Sequence, residues 1–194
     1  MMLSTYIEKN KITLIHGESG SGKSIFAVKE LNEAGIKPVY IDFDDNELNE
    51  FRTLNCECDL IEGETFFDDF IGKNYYNLEL WNHLKDKVVI IDTWTLFSAY
   101  CGSELNAHRI VKDLIRLGST VIILAHTTPY SGKEDKPEME DKIYRHIKAR
   151  LYIRRTTLKS KIEYHLIIEK LRGHQGDKMM LLRTSDGLDD MLNK

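Results

Sequence analysis

Eight consecutive residues, Gly17-Glu18-Ser19-Gly20-Ser21-Gly22-Lys23-Ser24, carry the groups that phosphate chemistry needs, at the spacing G-x-x-x-x-G-K-[ST]. Glycines let the chain turn so tightly that successive backbone N–H groups aim inward at one anion, and a helix starting there adds its dipole. A lysine after the last glycine brings a cation to the terminal phosphates, and a serine hydroxyl is a hard oxygen ligand for Mg²⁺. On this reading Lys23 bridges the β- and γ-phosphates of ATP or another nucleoside triphosphate, Ser24 ligates magnesium, and Gly17 to Ile25 form the cradle. A glycine loop arising by chance would lack a strand before it and a helix after it; this one has both patterns.

A magnesium ion needs a carboxylate as well as a hydroxyl. Val88-Val89-Ile90-Ile91 is a run of four β-branched residues ending in Asp92, the natural Walker B ligand once a phosphate loop stands upstream. Hydrolysis further needs a base or a group that positions water. Val39-Tyr40-Ile41-Asp42-Phe43-Asp44 offers Asp44 just past a strand, with Asp42 and Asp45 competing and a solvated acidic loop as the plainer reading. Thr93 and Trp94, not an acid, follow Asp92. His126 closes the apolar run Val121 to Ala125 and falls beside the γ-phosphate if that strand neighbours the first. A polar group there can report whether the phosphate is present.

The elements that must hold these groups alternate between strand-length apolar runs and helical spacing, which predicts a parallel α/β sheet. Ile12 to His16 is a strand, Lys23 to Ala34 a helix capped by Gly35, and Val39 to Phe43 the next strand. Asp45 to Lys85 reads as two or three short helices with a short strand near Leu60. Glu104 to Leu117 is an amphipathic helix with Ala107, Val111, Leu114 and Ile115 on one face, ended by Gly118. Thr127 to Glu138 reads as a polar loop, followed by a short helix near Asp141 to Lys148. Three β patterns close the chain: Leu151 to Arg155, Ile162 to Glu169 and Met179 to Arg183. We expect a single core over 1–194, with a short N-terminal segment, 1–11, and a flexible tail, 184–194.

The 194 residues are 42% hydrophobic and 30% charged, proportions that are ordinary for a soluble globular protein. No apolar run approaches the ~20 residues of a membrane span. Met1 to Lys11 lacks the apolar stretch of a signal peptide, so a cytoplasmic location is expected, with no membrane partner. Three cysteines are too few for a disulfide framework, and Cys56-x-Cys58 has no second ligand pair at zinc spacing. The net charge of −4 hides an asymmetry. Asp42 to Asp69 is dense in acids against a lone Arg52, while Lys142, Arg145, Lys148, Arg150, Arg154, Arg155, Lys159 and Lys161 form a run without any acid. Such a basic part meets either a polyanion or the acidic part of another copy.

These residues resemble the RecA-like ATPases: RecA, the archaeal RadA and RadB group, the KaiC and DnaB-type ATPases, and short phage recombinases that are little more than the core. The resemblance spans Ile12 to Arg183 and rests on four features beyond the phosphate loop. Tyr40-Ile41-Asp42-Phe43-Asp44 is similar to the strand carrying the family's catalytic glutamate, which places Asp44 in that role, with Asp where the family usually has Glu. Ile90-Ile91-Asp92-Thr93 has the family's bare aspartate. Leu124-Ala125-His126-Thr127 looks like the strand end that carries its glutamine or histidine sensor, and the polar stretch behind it takes the place of a DNA-binding loop. Lys170-Leu171-Arg172-Gly173 resembles the K-x-R motif that reaches a neighbouring subunit's γ-phosphate. The resemblance thus implies a RecA-like P-loop fold, a mostly parallel sheet flanked by helices with an antiparallel β extension in the last third. It also implies ATP and Mg²⁺ as ligands, Lys170 and Arg172 as trans-acting fingers, and a ring or filament of copies.

The implied function is a DNA-stimulated ATPase that assembles on single-stranded DNA and assists recombination, annealing or repair. Lys142, Arg145, Lys148, Arg150, Arg154 and Arg155 are the candidate phosphate contacts, with Tyr144 and Tyr152 among them to stack on bases. A small hexameric helicase or other motor shares the same site. A KaiC-like regulatory ATPase or a small-molecule kinase without DNA is the contrasting class, the kinase being weakened by the β-rich last third.

Overall fold

Strands that read as unbroken Val, Ile and Leu belong in a sheet covered on both faces, and that is where the computed structural model puts them. It describes residues 3, 6–44, 55–68, 82–128, 136–144, 147, 149–158, 161–171 and 174–185. Among these, the chain runs β1 (Ile12–Gly17), α1 (Lys23–Glu33), β2 (Val39–Asp42), β3 (Asp59–Glu62), α2 (Gly63–Phe66), β4 (Val88–Asp92), α3 (Trp94–Tyr100) and α4 (Glu104–Arg116). It continues through β5 (Thr120–Thr128), β6 (Lys136–Pro137), α5 (Asp141–Tyr144), β7 (Ala149–Leu158), β8 (Lys161–Leu171) and β9 (His174–Ser185).

The strands form one sheet in the order β3-β2-β4-β5-β1-β7-β8-β9, with the short β6 pairing β5 outside that path. From β3 to β7 all neighbours are parallel, and β8 and β9 add on antiparallel. Strand alternation divides the core between two faces. Leu14, Ile41, Ile91 and Ile123 point to one, where Trp94 and Phe97 of α3 and Ala107, Val111 and Leu114 of α4 cover them. Ile15, Tyr40, Ile90, Ile122 and Leu124 point to the other, against Ala27, Val28 and Leu31 of α1. The opening segment joins this second face: Leu3 is fully buried there, and its amide donates to Glu30 Oε2 at 2.9 Å.

Several expectations need redrawing. Helix α3 is an element that the sequence patterns do not predict. The expected strand near Leu60 is β3, but 45–54 and 69–81, where further short helices were expected, lie outside the described residues. The expected loop at Thr127 starts later, because β5 runs through Thr128 and is met by β6 (Thr127↔Pro137, Thr128↔Lys136). Helix α5 is described over Asp141–Tyr144 and has ended by Ile147, and β9 carries Thr184 and Ser185 into the sheet, so the expected tail loses its first two residues. No helix among the described residues is long and apolar enough to cross a membrane.

Candidate nucleotide site

Parallel strands bring their C-terminal ends to one edge of the sheet, where α/β folds bind ligands. Gly17, Asp42, Asp92 and His126 all arrive there, at or near the ends of β1, β2, β4 and β5, with Gly17 level with His126 and Asp42 level with Asp92. The loop from Glu18 to Gly22 then turns into α1. Gly22 caps the helix in the left-handed region (φ 78°, ψ 23°), and its carbonyl accepts the first helical bond, from Phe26 N–H at 2.9 Å. Glu18, Ser19 and Gly20 are exposed, Ser21 is buried, and Ile25 is half-buried.

Lys23 is 5% exposed, and its Nζ donates to the carbonyls of Gly17 at 3.2 Å and Glu18 at 2.9 Å. His126 Nδ1 stands 3.5 Å from the same Nζ, so the strand-end histidine and the loop lysine share one spot. On the other side Ser24 donates its hydroxyl to Asp92 Oδ2 at 2.7 Å. That carboxylate oxygen also accepts a short hydrogen bond from the Tyr40 hydroxyl. Burial pushes the Asp92 carboxyl above its usual range, against the pull of Tyr40, Ser24 and Lys23, and the nearby Asp44 charge pushes the same way as burial. Two oxygen donors in contact, one a carboxylate, form a hard set that fits magnesium, which binds few protein oxygens and keeps waters. Asp44 is half-buried just beyond β2, with its amide donating to Asp42 Oδ1 at 2.9 Å, while Asp42 itself is 3% exposed.

The basic residues distribute differently. Lys170 pairs with Arg150, and Arg150 with Leu14, three residues before Gly17 on the neighbouring strand. At about 3.3 Å per residue and about 4.8 Å per strand, Lys170 sits on the order of 14 Å from Gly17. Arg172, Arg145, Lys148 and the side chain of Lys142 lie outside the described residues. Arg150, Tyr152 and Arg154 share the sheet face of Leu14, whereas Arg155 shares that of Leu151 and Ile153 on the α1 side. Arg150 is committed to the Tyr144 ring, 4.1 Å from its centroid, and Arg154 stands over Tyr152 at 5.8 Å. The acid-free run is therefore not one surface. The cysteines add nothing to a site: burial pushes the Cys56 and Cys58 thiols up, and no group of three His, Cys, Asp or Glu among the described residues is placed to hold a metal.

Sequence reasoning missed Tyr40, whose hydroxyl reaches Asp92 across one strand spacing; as an aromatic in an apolar strand it carried no mark of that role. It also passed over His16 and Glu169. A histidine inside the run Ile12 to Gly17 was the available signal, since a buried imidazole must find partners.

No protein-family model matches the sequence, and no curated protein aligns with it. Solved structures do match, 337 chains in all. One is a KaiC-like protein from the hyperthermophilic archaeon Pyrococcus horikoshii, with a TM-score of 0.62 over 93% of this chain and 88% of that one, at 15% identity. Identity that low speaks for the backbone alone. The chain has the RecA-like α/β fold, with its antiparallel strands in the last third.

Proposed function

We propose that this protein is an ATPase that binds ATP with Mg²⁺ in the Gly17–Ile25 loop and shares its catalytic site between copies of itself. The observation that carries this reading is the meeting of Lys23, Ser24, Asp92 and His126 at one sheet edge, with Ser24 Oγ 2.7 Å from Asp92 Oδ2 and Lys23 Nζ 3.5 Å from His126 Nδ1. Lys23 and the loop amides hold the phosphates, His126 lies beside the terminal one, and Asp44 positions the attacking water. Ser24 and Asp92 hold magnesium, which when bound draws charge from the phosphate oxygens.

The separation of Lys170 from its own loop supports a role toward another copy's nucleotide, shared with Arg172 two positions on in the sequence, and hence a ring or filament. Within that assembly we place single-stranded DNA against the α5 face of β7, where Arg154 is exposed, and assign the protein to recombination, annealing or repair in the cytoplasm.

The test is direct. Lys23→Ala is expected to lower the affinity for a fluorescent ATP analogue by about a hundredfold or more, removing charge-assisted bonds to two phosphates, and to abolish hydrolysis. Native specific activity is expected to rise with protein concentration and again on adding single-stranded DNA. A native protein that shows no magnesium-dependent nucleotide affinity ends the proposal. Hydrolysis at full rate by an isolated monomer ends only its shared-site part.

A further inference from the structure

Successive residues of a strand face opposite ways, and at the end of β5 this creates two polar clusters. His126 turns to Lys23; its neighbour Thr127 turns to the other face, where His16 lies directly behind the nucleotide loop. His16 is fully buried and immediately precedes Gly17. Its Nδ1 stands 3.0 Å from Thr127 Oγ1 and its Nε2 2.9 Å from Glu169 Oε2. The same Glu169 oxygen accepts the Tyr144 hydroxyl at 3.0 Å, and the Tyr152 ring stacks on the imidazole at 4.9 Å. Burial works to push the Glu169 carboxyl up, but His16, Tyr144 and Arg150 outweigh it and hold the group below its usual value. A carboxylate can only accept, so Nε2 carries the proton that faces it.

Glu169 reaches His16 through an irregularity in the sheet. Leu151 pairs with Ile168 and Arg150 with Lys170, leaving Glu169 without an opposite number on β7. A bulge of this kind re-aims the side chains that follow it. Regular alternation would put Lys170 on the side of Ile168, facing α1; the extra residue sets it opposite Arg150, on the face of Leu14 and Tyr144. Burying a carboxylate against an imidazole is an expensive way to gain stability, since two well-packed apolar side chains do as well or better. What the pair adds is a fixed geometry.

We infer that Glu169 and His16 are positioning residues for Lys170: they pin the β8 bulge to the root of the nucleotide loop and so fix the face from which Lys170 projects toward an adjoining copy. Through Thr127 the same cluster ties that placement to His126 beside the phosphates. The inference rests on the shared-site reading above.

Mixed assemblies test it. Glu169→Ala keeps its own loop but loses the pin; Lys23→Ala loses its loop but keeps a correctly placed Lys170. Glu169→Ala is expected to bind the fluorescent ATP analogue within about threefold of native. Its turnover is expected to fall by about a hundredfold, the cost of a misplaced group in a positioned site. Adding the inactive Lys23→Ala protein should restore a rate well above the sum of the two alone. Glu169→Gln, whose amide oxygen still accepts from His16 and Tyr144, should stay within about threefold of native. Unchanged turnover in Glu169→Ala overturns the inference. So does a loss that Lys23→Ala does not repair while a Lys170→Ala and Lys23→Ala mixture does recover. If neither mixture recovers although native protein hydrolyses ATP, the shared-site reading fails and takes this inference with it. Should Glu169→Ala not fold, Tyr144→Phe removes one hydroxyl from Glu169 and is expected to cost about threefold in turnover at unchanged affinity, again repaired by Lys23→Ala.

Discussion

At the scale of single residues, Asp92 carries a stability cost that its proposed role would account for. Its carboxylate is 2% exposed and its pKa is raised, with burial the largest cause. For an acid the sign follows: the folded state holds the proton more tightly than the unfolded one. The ionised group therefore weighs against folding increasingly as pH rises from the unfolded value of 3.8 through the raised folded value. Asparagine has no charge to desolvate, and its oxygen can still accept from Ser24 and Tyr40. Asp92→Asn is thus expected to melt about 2–4 °C higher than native at pH 7, the response of a domain this size to ~1 kcal/mol. The gap should close below pH 3.8. On the proposed function the same substitution also removes a magnesium ligand, and hydrolysis should drop by about two orders of magnitude or more. Thermal melts across pH beside ATPase rates check both halves; a variant that melts lower yet hydrolyses normally would contradict both.

At the scale of elements, the glycine-rich loop after β1 depends on close packing between β1 and β7. A Cβ on Gly17 would collide with the Ile153 carbonyl and come within 2.7 Å of Ser21 Oγ, and the carbonyl is backbone that cannot swing aside. Gly20, by contrast, has φ +69° and nothing within 4 Å of where a Cβ would stand. Gly20→Ala should therefore cost only left-handed strain, about 1 kcal/mol, while Gly17→Ala should cost about 3 kcal/mol through overpacking. Denaturant unfolding at fixed slope separates the two; equal losses would mean that β7 yields easily at Ile153. This contrast also marks what the sequence could tell. The loop, Asp92 and the apolar run leading to His126 were legible because each is a local pattern, glycine spacing or an apolar run with a polar residue behind it, although β5 runs two residues past His126. Helix α3 was not, being seven residues long; nor was β6, two residues defined only by pairing with β5. His16 and Glu169 are 153 positions apart, and the bulge that joins them is a property of register between β7 and β8, which no local pattern encodes.

At the scale of the whole molecule, the question is how a basic stretch becomes a surface. Read as a sequence, the acid-free run is one patch; among the described residues, its exposed arginines Arg154 and Arg155 stand on opposite sides of β7. Arg154 lies on the face of Leu14 and Tyr144, and Arg155 lies on the α1 side. On the proposed DNA role, a single strand threading one face of an assembly would be neutralised by the first and not by the second. Taking one cation away from a bound phosphate should lower the slope of log affinity against log salt by about 0.7 for single-stranded nucleic acid. We therefore expect Arg154→Ala to reduce that slope by about 0.7 and to weaken binding at every ionic strength. Arg155→Ala should leave the slope as it is. Titrations of a labelled oligonucleotide at four or five salt concentrations, with a non-hydrolysable ATP analogue present, measure both. Equal changes in the two variants would mean that the run acts through its summed charge rather than through a face, and an unchanged slope in both would remove DNA from this side of the sheet.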